Sequence, residues 1–320
     1  MTKELDVICI GAALVDMIAK IKRHPLDDDE VFVSDLQLLS GGAAANTAYT
    51  CSKLGLKTAF IGKLGYNDEF GHKIMKDFKE VSLDTTLMKY SKEKVTGSAY
   101  VAINEKGDRR IYAYSGAANA LSSDDIKPEE LVKAKTIFLS SLRNLDPFKK
   151  AVKIAKNNNI PIIFNPGMLI IEQGFDKIKE LFFYTDILII SRREFQSLFH
   201  IGDSNLNERI IEDNAKLLFK LGTKIIIVTR GKKGATILNS EKSELIKPMH
   251  INQVIDTTGA GDAFSAGFIY GFNRNTSFKF EDLKSDVMIG NFIAGRCIQE
   301  LGARNGIPTA DELRIKSLDC

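Results

Sequence analysis

The chain has 320 residues, enough for one large domain or two ordinary ones, and its 44% hydrophobic content suits a folded protein with a sizeable core. Lys and Arg outnumber Asp and Glu only by 44 to 41, with both signs interspersed, which argues against a nucleic-acid or membrane surface. Cys9, Cys51, Cys297 and Cys320 form no CxxC pair, so neither a zinc site nor a disulfide framework is expected. The start of the chain shows no long apolar leader, and no stretch approaches the roughly 18 apolar residues of a membrane span. The expected location is therefore the reducing cytoplasm.

In chain order, runs rich in Val, Ile and Phe at residues 7–10, 58–61, 136–139, 161–164, 187–190 and 224–229 read as buried strands. Between several of them lie amphipathic stretches, such as 147–158 and 208–221, whose apolar residues recur every three or four positions. This alternation implies an α/β fold with a mostly parallel sheet and helices on both faces. Two segments break the rhythm. Residues 97–115 alternate polar and apolar around the turn Asn104-Glu105-Lys106-Gly107-Asp108, a hairpin signal. The polar segment 23–35 carries Asp27-Asp28-Asp29-Glu30 and then Val31-Phe32-Val33, read as a further strand of the same small sheet. The expectation is one domain over 1–320, with a β-sheet lid inserted at about residues 12–40 and 95–116. Neither a flexible linker nor an internal repeat divides it.

The densest chemical signal is Asp256-Thr257-Thr258-Gly259-Ala260-Gly261-Asp262. Val254-Ile255 reads as a strand end, the two glycines as a turn, and the residues beyond as a helix whose Ala263, Gly267 and Gly271 share a face suited to close packing. The first amides of such a helix lack partners and lie at its positive dipole end, so phosphate oxygens belong there. A carboxylate at that point can accept the proton of a hydroxyl nucleophile, which makes Asp262 the candidate general base. An isolated GxG-D would equally mark a tight turn and a helix start; the full string favours the chemical reading. GxxxxGK[ST] is missing, Phe264 stands where a dinucleotide fingerprint needs its third glycine, and protein-kinase motifs are missing too.

This string resembles the second signature of the ribokinase-like, or PfkB, carbohydrate kinase family. Gly41-Gly42-Ala43-Ala44-Ala45-Asn46-Thr47-Ala48, with Lys53-Leu54-Gly55 and the glycine-rich stretch from Ile61 to Gly71, resembles its first signature. The resemblance runs from the first strand to Gly302-Ala303. It implies a three-layer α/β/α sandwich with a small β-sheet lid, and an ATP-dependent kinase that phosphorylates a primary hydroxyl of a sugar or, as an alternative, of a nucleoside. By the resemblance, Asp262 is the base and Gly259, Ala260 and Gly261 form the anion hole. Asp16, Gly41, Gly42 and Asn46 hold the acceptor; Thr229, Arg230, Gly231, Gly234, Gly259, Gly261, Asn291, Ala294 and Gly302-Ala303 line the nucleotide site.

Glu194 is implied to organise Mg²⁺ through water, with Ser191 replacing the family's Asn, while Asp256 and Thr258 match a K⁺ or Na⁺ site. Asn165 is expected to face the phosphates. A plainer reading makes Asn46 the cap of a helix over 46–54 and Glu194 a solvent-exposed helix residue. The first signature lacks the Lys that typical ribokinases carry at the position of Ala43, which leaves the acceptor open. A sugar phosphate would call on Arg109, Arg110 or Arg143. The remaining expectations are a small-molecule partner, a homodimer through the lid, and, as a rival of another class, a catalytically silent sensor.

Overall fold

A computed structural model describes residues 3–202 and 206–316. The chain opens with β1 (Leu5–Gly11), next to one edge of the main sheet, and leaves it for two lid strands, β2 (Leu14–Ile21) and β3 (Val33–Gly41). It returns through α1 (Ala43–Lys53) and β4 (Thr58–Ile61), then runs through β5 (Lys63–Gly65), α2 (Glu69–Glu80) and β6 (Lys89–Ser91). The lid is completed by the hairpin β7 (Gly97–Ile103) and β8 (Arg109–Tyr114). From α3 (Pro128–Leu131) onward strands and helices alternate: β9 (Ala134–Ser140), α4 (Asp146–Asn157), β10 (Ile162–Asn165), α5 (Met168–Ile171), α6 (Phe175–Tyr184), β11 (Ile187–Ser191), α7 (Arg192–Leu198), α8 (Glu208–Leu221) and β12 (Ile225–Thr229). An edge hairpin, β13 (Ala235–Leu238) and β14 (Ser243–Ile246), precedes α9 (Ala260–Asn275), α10 (Phe280–Cys297) and α11 (Ala310–Lys316).

The main sheet has the order β14-β13-β12-β11-β10-β9-β1-β4 and is parallel except at the β12-β13-β14 edge. Its parallel strands are apolar on both faces, so successive residues feed two separate cores. Ile8, Ile10, Ile137, Leu139, Leu188 and Ile190 point into the layer of α4, α6, α7 and α8. Val7, Cys9, Phe138, Ile187, Ile189 and Ile227 point into the layer of α1, α2, α9 and α10. The molecule is thus the expected three-layer sandwich. The lid is a separate four-stranded sheet in the order β3-β2-β7-β8.

Two local readings need correction, and one element escaped the sequence. The lid strand after the acidic loop begins at Val33 and runs to Gly41, whereas Phe32 is 85% exposed in a loop and Val31 lies outside any strand. Its partner β2 supplies the register, pairing Leu14 with Gly41 and Asp16 with Leu39, which the apolar triplet 31–33 could not satisfy. Val254 and Ile255 are half exposed and extend no sheet; the Ile255 amide donates to the Ile298 carbonyl at 2.8 Å, so the segment is a loop tied to the end of α10. The edge hairpin β13–β14 was not foreseen, because four-residue strands around Asn239 give too short a pattern to read.

α9 and α10 pack closely through the small residues that the sequence placed on one face. A Cβ on Gly267 would lie 2.9 Å from both Gly290 Cα and Ile289 O, and one on Gly271 would lie 2.4 Å from Asp286 Oδ1. Gly267→Val is therefore expected to lower unfolding free energy by ~2–3 kcal/mol through overpacking, read as a lower urea midpoint with unchanged slope. An unchanged midpoint would show that the two helices can separate without loss.

Candidate active site

The carboxyl ends of the parallel strands form a row: Gly11 pairs with Ser140, Ser140 with Asn165, and Ser191 with Thr229. Crevices beyond such ends are where open α/β sheets hold ligands. Two helices begin at this row. α1 starts at Ala43 after Gly42, whose φ of 96° only glycine adopts readily, and a Cβ there would lie 2.5 Å from Ala12 O. α9 starts at Ala260 after Gly259, which is left-handed with φ 76° and pressed against Ala303. The amides of Gly261 and Asp262 lie in the first turn of α9, where the helix supplies no acceptor. A Cβ on Gly261 would meet nothing within 4 Å, so open space adjoins those amides.

Asp262 is half-buried in that first turn. Its Oδ2 accepts the Asn46 amide Nδ2–H at 2.9 Å, and its carbonyl accepts the Thr47 hydroxyl at 3.4 Å. Burial pushes its pKa up to about 7; the Asn46 hydrogen bond and the Arg304 charge oppose that rise, while Glu194 and Asp16 add to it. Asp16, on lid strand β2, is raised to about 6 by burial, again against Arg304. Gly41 makes room for it, since a Cβ there would lie 2.2 Å from Asp16 Oδ2. Four sequence-read positions, Asp16, Gly41, Asn46 and Asp262, therefore meet where the lid crosses the two helix starts. The capping alternative for Asn46 fails, because α1 begins three residues earlier and the Asn46 side chain points across to α9.

Arg304 is the site residue that the sequence reading missed. It is 9% exposed, donates Nε–H to Asn46 Oδ1 at 2.9 Å, and faces Asp77 Oδ2 at 3.6 Å. Its guanidinium also stacks over the Tyr49 ring at 4.7 Å and lies 5.7 Å from that of Phe78. Only its position directly after Gly302-Ala303 could have drawn attention to it.

Glu194 and Ser191 form a reciprocal cap at the start of α7: Glu194 Oε2 accepts the Ser191 amide at 2.8 Å, and Ser191 Oγ accepts the Glu194 amide at 3.2 Å. Ser191 thus serves as an N-cap. Glu194 is not a solvated surface residue; burial raises its pKa, and its charge is felt at Asp262. A carboxylate so placed at the cleft end of β11 fits a divalent cation held through water.

The Asp256 carboxylate is already engaged. Oδ1 accepts the Thr258 amide at 3.0 Å and hydroxyl at 2.8 Å, Oδ2 accepts the Gly302 amide at 3.0 Å, and Arg109 of the lid stands 3.8 Å from Oδ1. Against the upward pull of burial, those amides and hydroxyl hold its pKa below the usual value. A monovalent cation would compete there with three donors and a guanidinium, so these residues fit one poorly.

Of the nucleotide positions, Thr229 closes β12, and Gly231, with φ 55°, has open space around it. Arg230 is turned inward to Glu208 at 2.6 Å and Thr236 at 3.3 Å. A Cβ on Gly234 would lie 2.0 Å from Ile246 O, and Asn291 donates to the Ile246 and Lys247 carbonyls at 3.3 and 3.1 Å. Gly234 and Asn291 therefore shape a wall of backbone. Asn165, half-buried, ends β10 in the row of strand ends.

One mostly parallel sheet between two helical layers, with a lid, an anion-ready helix start and a carboxylate of raised pKa beside it, is an arrangement suited to phosphoryl transfer. The model of the pfkB family of carbohydrate kinases matches residues 4–310, and the chain belongs to that family and is an ATP-dependent sugar kinase. It is 33% identical to a protein of Archaeoglobus fulgidus described as an uncharacterized sugar kinase, over 80% of this chain and 97% of that one. It is 27% identical to the ribokinase of Staphylococcus aureus over 96% and 98% of the two chains. The structure of Arabidopsis thaliana ribokinase complexed with ribose and ATP superimposes with a TM-score of 0.86, at 27% identity and full coverage of both chains.

Only the ionised form of Asp262 can take a proton, and its pKa is raised to about 7. With Asp262 as the expected general base, activity is lost as pH falls through about 7 and levels off above it, seen as an acid limb in kcat/KM, which reports the free enzyme. A profile flat between about pH 5.5 and 8 would assign the limiting proton transfer elsewhere.

Proposed function

We propose that the chain transfers the γ-phosphoryl group of ATP, with Mg²⁺, to a primary hydroxyl of a sugar, using Asp262 as general base and residues 259–262 as the anion site. The observation that carries this reading is a half-buried carboxylate in the first turn of a helix whose Gly261 opens onto free space, with its Oδ2 held by Asn46. That bond leaves Oδ1 to receive the hydroxyl proton. The hydroxyl oxygen then forms a bond to the γ-phosphorus, the bond to the β-bridging oxygen breaks, and ADP leaves. The unpaired amides of α9 stabilise the negative charge that develops on the phosphate oxygens.

The acceptor is placed under the lid against Asp16, Gly41, Gly42 and Asn46. Asp16 accepts from sugar hydroxyls, the glycines let backbone approach the ring, and Asn46 chiefly holds Asp262, since both ends of its amide already have protein partners. Thr229 and Gly231 are the nucleotide positions with room beside them, Gly234 and Asn291 forming the wall behind. Glu194 would hold Mg²⁺ through water, and the ion would supply charge neutralisation on the phosphates. Lid closure excludes water, which would otherwise compete as acceptor. A lid-to-lid homodimer belongs to the same proposal; Leu36, Leu38 and Tyr112 lie exposed on one face of that sheet.

One observation favours a second acceptor class. A cavity of about 130 Å³ between Leu14, Gly42, Ala113, Ser141 and Leu169 has Arg143 as its one charged lining residue. An acceptor whose carboxylate or phosphate extends past Gly42 into that cavity would meet this cation.

ADP release measured over neutral sugars, nucleosides, sugar acids and sugar phosphates separates these classes, and the neutral sugars are expected to lead. Asp262→Asn is expected to lower kcat at least ~10²-fold while acceptor binding largely survives. Near-normal turnover in that variant would reject the base assignment. Tight ligand binding with no ADP release from any acceptor would favour a silent sensor.

A further inference from the structure

We propose that Arg304 is a positioning residue for phosphoryl transfer: through Asn46 it fixes which oxygen of Asp262 is free to take the hydroxyl proton. The inference rests on Asp262 being the base, and it adds to that reading a residue outside both signatures.

The geometry is a chain of two hydrogen bonds. Arg304 Nε–H donates to Asn46 Oδ1 at 2.9 Å, and Asn46 Nδ2–H donates to Asp262 Oδ2 at 2.9 Å. A guanidinium carries donors only, so the end of the Asn46 amide that faces it must be the oxygen. The amide nitrogen is thereby turned toward Asp262 and pins Oδ2, leaving Oδ1 for the acceptor. Without the guanidinium, the amide could rotate to bring its oxygen against the carboxylate, which would repel it.

The arginine is held in place to do this. Arg304 lies in the segment between α10 and α11 and is 9% exposed, sandwiched by Tyr49 of α1 and Phe78 of α2. Its Nη1 faces Asp77 of α2 at 3.6 Å, and neither Nη1 nor Nη2 has a hydrogen-bond acceptor among the described residues. Burying a guanidinium with two unbonded nitrogens is costly, and surface stability gives no reason for it. The aromatic faces and the single directed Nε–H fix its orientation to the one partner that touches the base.

The charge also acts directly. The charged or titratable groups around Asp262 are Asp16 from the lid, Glu194 from α7, Cys297 from α10 and Arg304; Arg304 alone among them is a cation, and it opposes the rise in the pKa values of both Asp262 and Asp16. Arg304 itself is faced by Asp77, Tyr49, Asp262 and Asp16, and Lys73 stands 3.5 Å from Asp77. Removing the arginine is therefore expected to raise the Asp262 pKa further.

The test compares Arg304→Met and Arg304→Lys with wild type, reading kcat, KM, the pH profile and the carboxyl titration of Asp262 by ¹³C NMR, assigned by its loss in Asp262→Asn. Arg304→Met is expected to lower kcat by ~10–10²-fold with little change in acceptor KM, and to move both the acid limb and the NMR titration upward by roughly one pH unit. Arg304→Lys restores charge without the directed Nε–H, so its titration is expected near wild type while kcat stays reduced. A merely structural arginine would lower thermal stability in both variants and move neither titration nor acid limb; that result overturns the proposal. If Arg304→Met does not fold, Arg304→Lys decides: wild-type kcat overturns the orienting role. The two readings fail separately, since near-normal turnover in Asp262→Asn removes the base whatever Arg304 does, and an unmoved Asp262 titration in Arg304→Met removes the positioning role whatever the turnover.

Discussion

The structure depends on keeping a carboxylate at a helix start without either solvating it fully or neutralising it with a direct ion pair. Full exposure would return Asp262 to an ordinary acid, too weak a base to take a proton from an alcohol, and a direct bond from a cation would depress it further. Partial burial in the first turn of α9 raises its pKa, and a neutral amide, Asn46, rather than a cation, makes the contact. The cation that is present, Arg304, stands one residue back.

That arrangement needs three elements from distant parts of the chain to meet within one side chain's length. The start of α1 carries Asn46, the start of α9 carries Asp262, and the segment after α10 carries Arg304. Close packing sets the tolerance. Gly267 and Gly290 let α9 and α10 approach, Gly259 accepts Ala303 against its backbone, and Gly41 yields the space that Asp16 occupies. Each glycine replaces a side chain that would push one partner out of reach, so the stability of the helical layer and the alignment of the site are a single packing problem. The lid adds a fourth element: Asp16 sits on β2 in register with Leu39, so its position is set by strand pairing rather than by a mobile loop.

Much of this was legible because it is periodic or local. The six parallel strands are continuous apolar runs, as expected of a sheet covered on both faces, and the hairpin of β7 and β8 announced itself through alternation around Gly107. Asp262 and Asn46 stood out because each lies in a dense glycine-rich string, the first read as an anion site and the second as an acceptor site. The lid strand β3 was misjudged because its register partner, β2, is what selects residues 33–41, and pairing between segments is not written in either segment alone. Arg304 escaped notice for a different reason. An arginine in a polar stretch is ordinarily a solvated side chain, and its burial arises from Tyr49 and Phe78, far earlier in the chain, closing over it. Glu194 was expected to organise Mg²⁺ through water, whereas its capping bond with Ser191 appears only once α7 is seen to start at Arg192.

The charge balance of the site gives the geometry its direction. Asp16, Glu194 and Asp262 gather around the cleft, and the pKa of each is raised by burial, yet only one guanidinium lies within reach of Asp16 and Asp262. Such a cleft is short of positive charge until a cation-bearing ligand arrives. Positive charge brought near Glu194 would remove part of the repulsion that raises Asp262, lowering its pKa and increasing the fraction ready to accept a proton. With Asp262 as the proposed base, filling the donor site would then raise its ionised fraction above that of the free protein. Coupling of this kind disfavours deprotonating an acceptor when no phosphoryl group is present to receive it, and it follows from where the charges stand rather than from any movement of the fold.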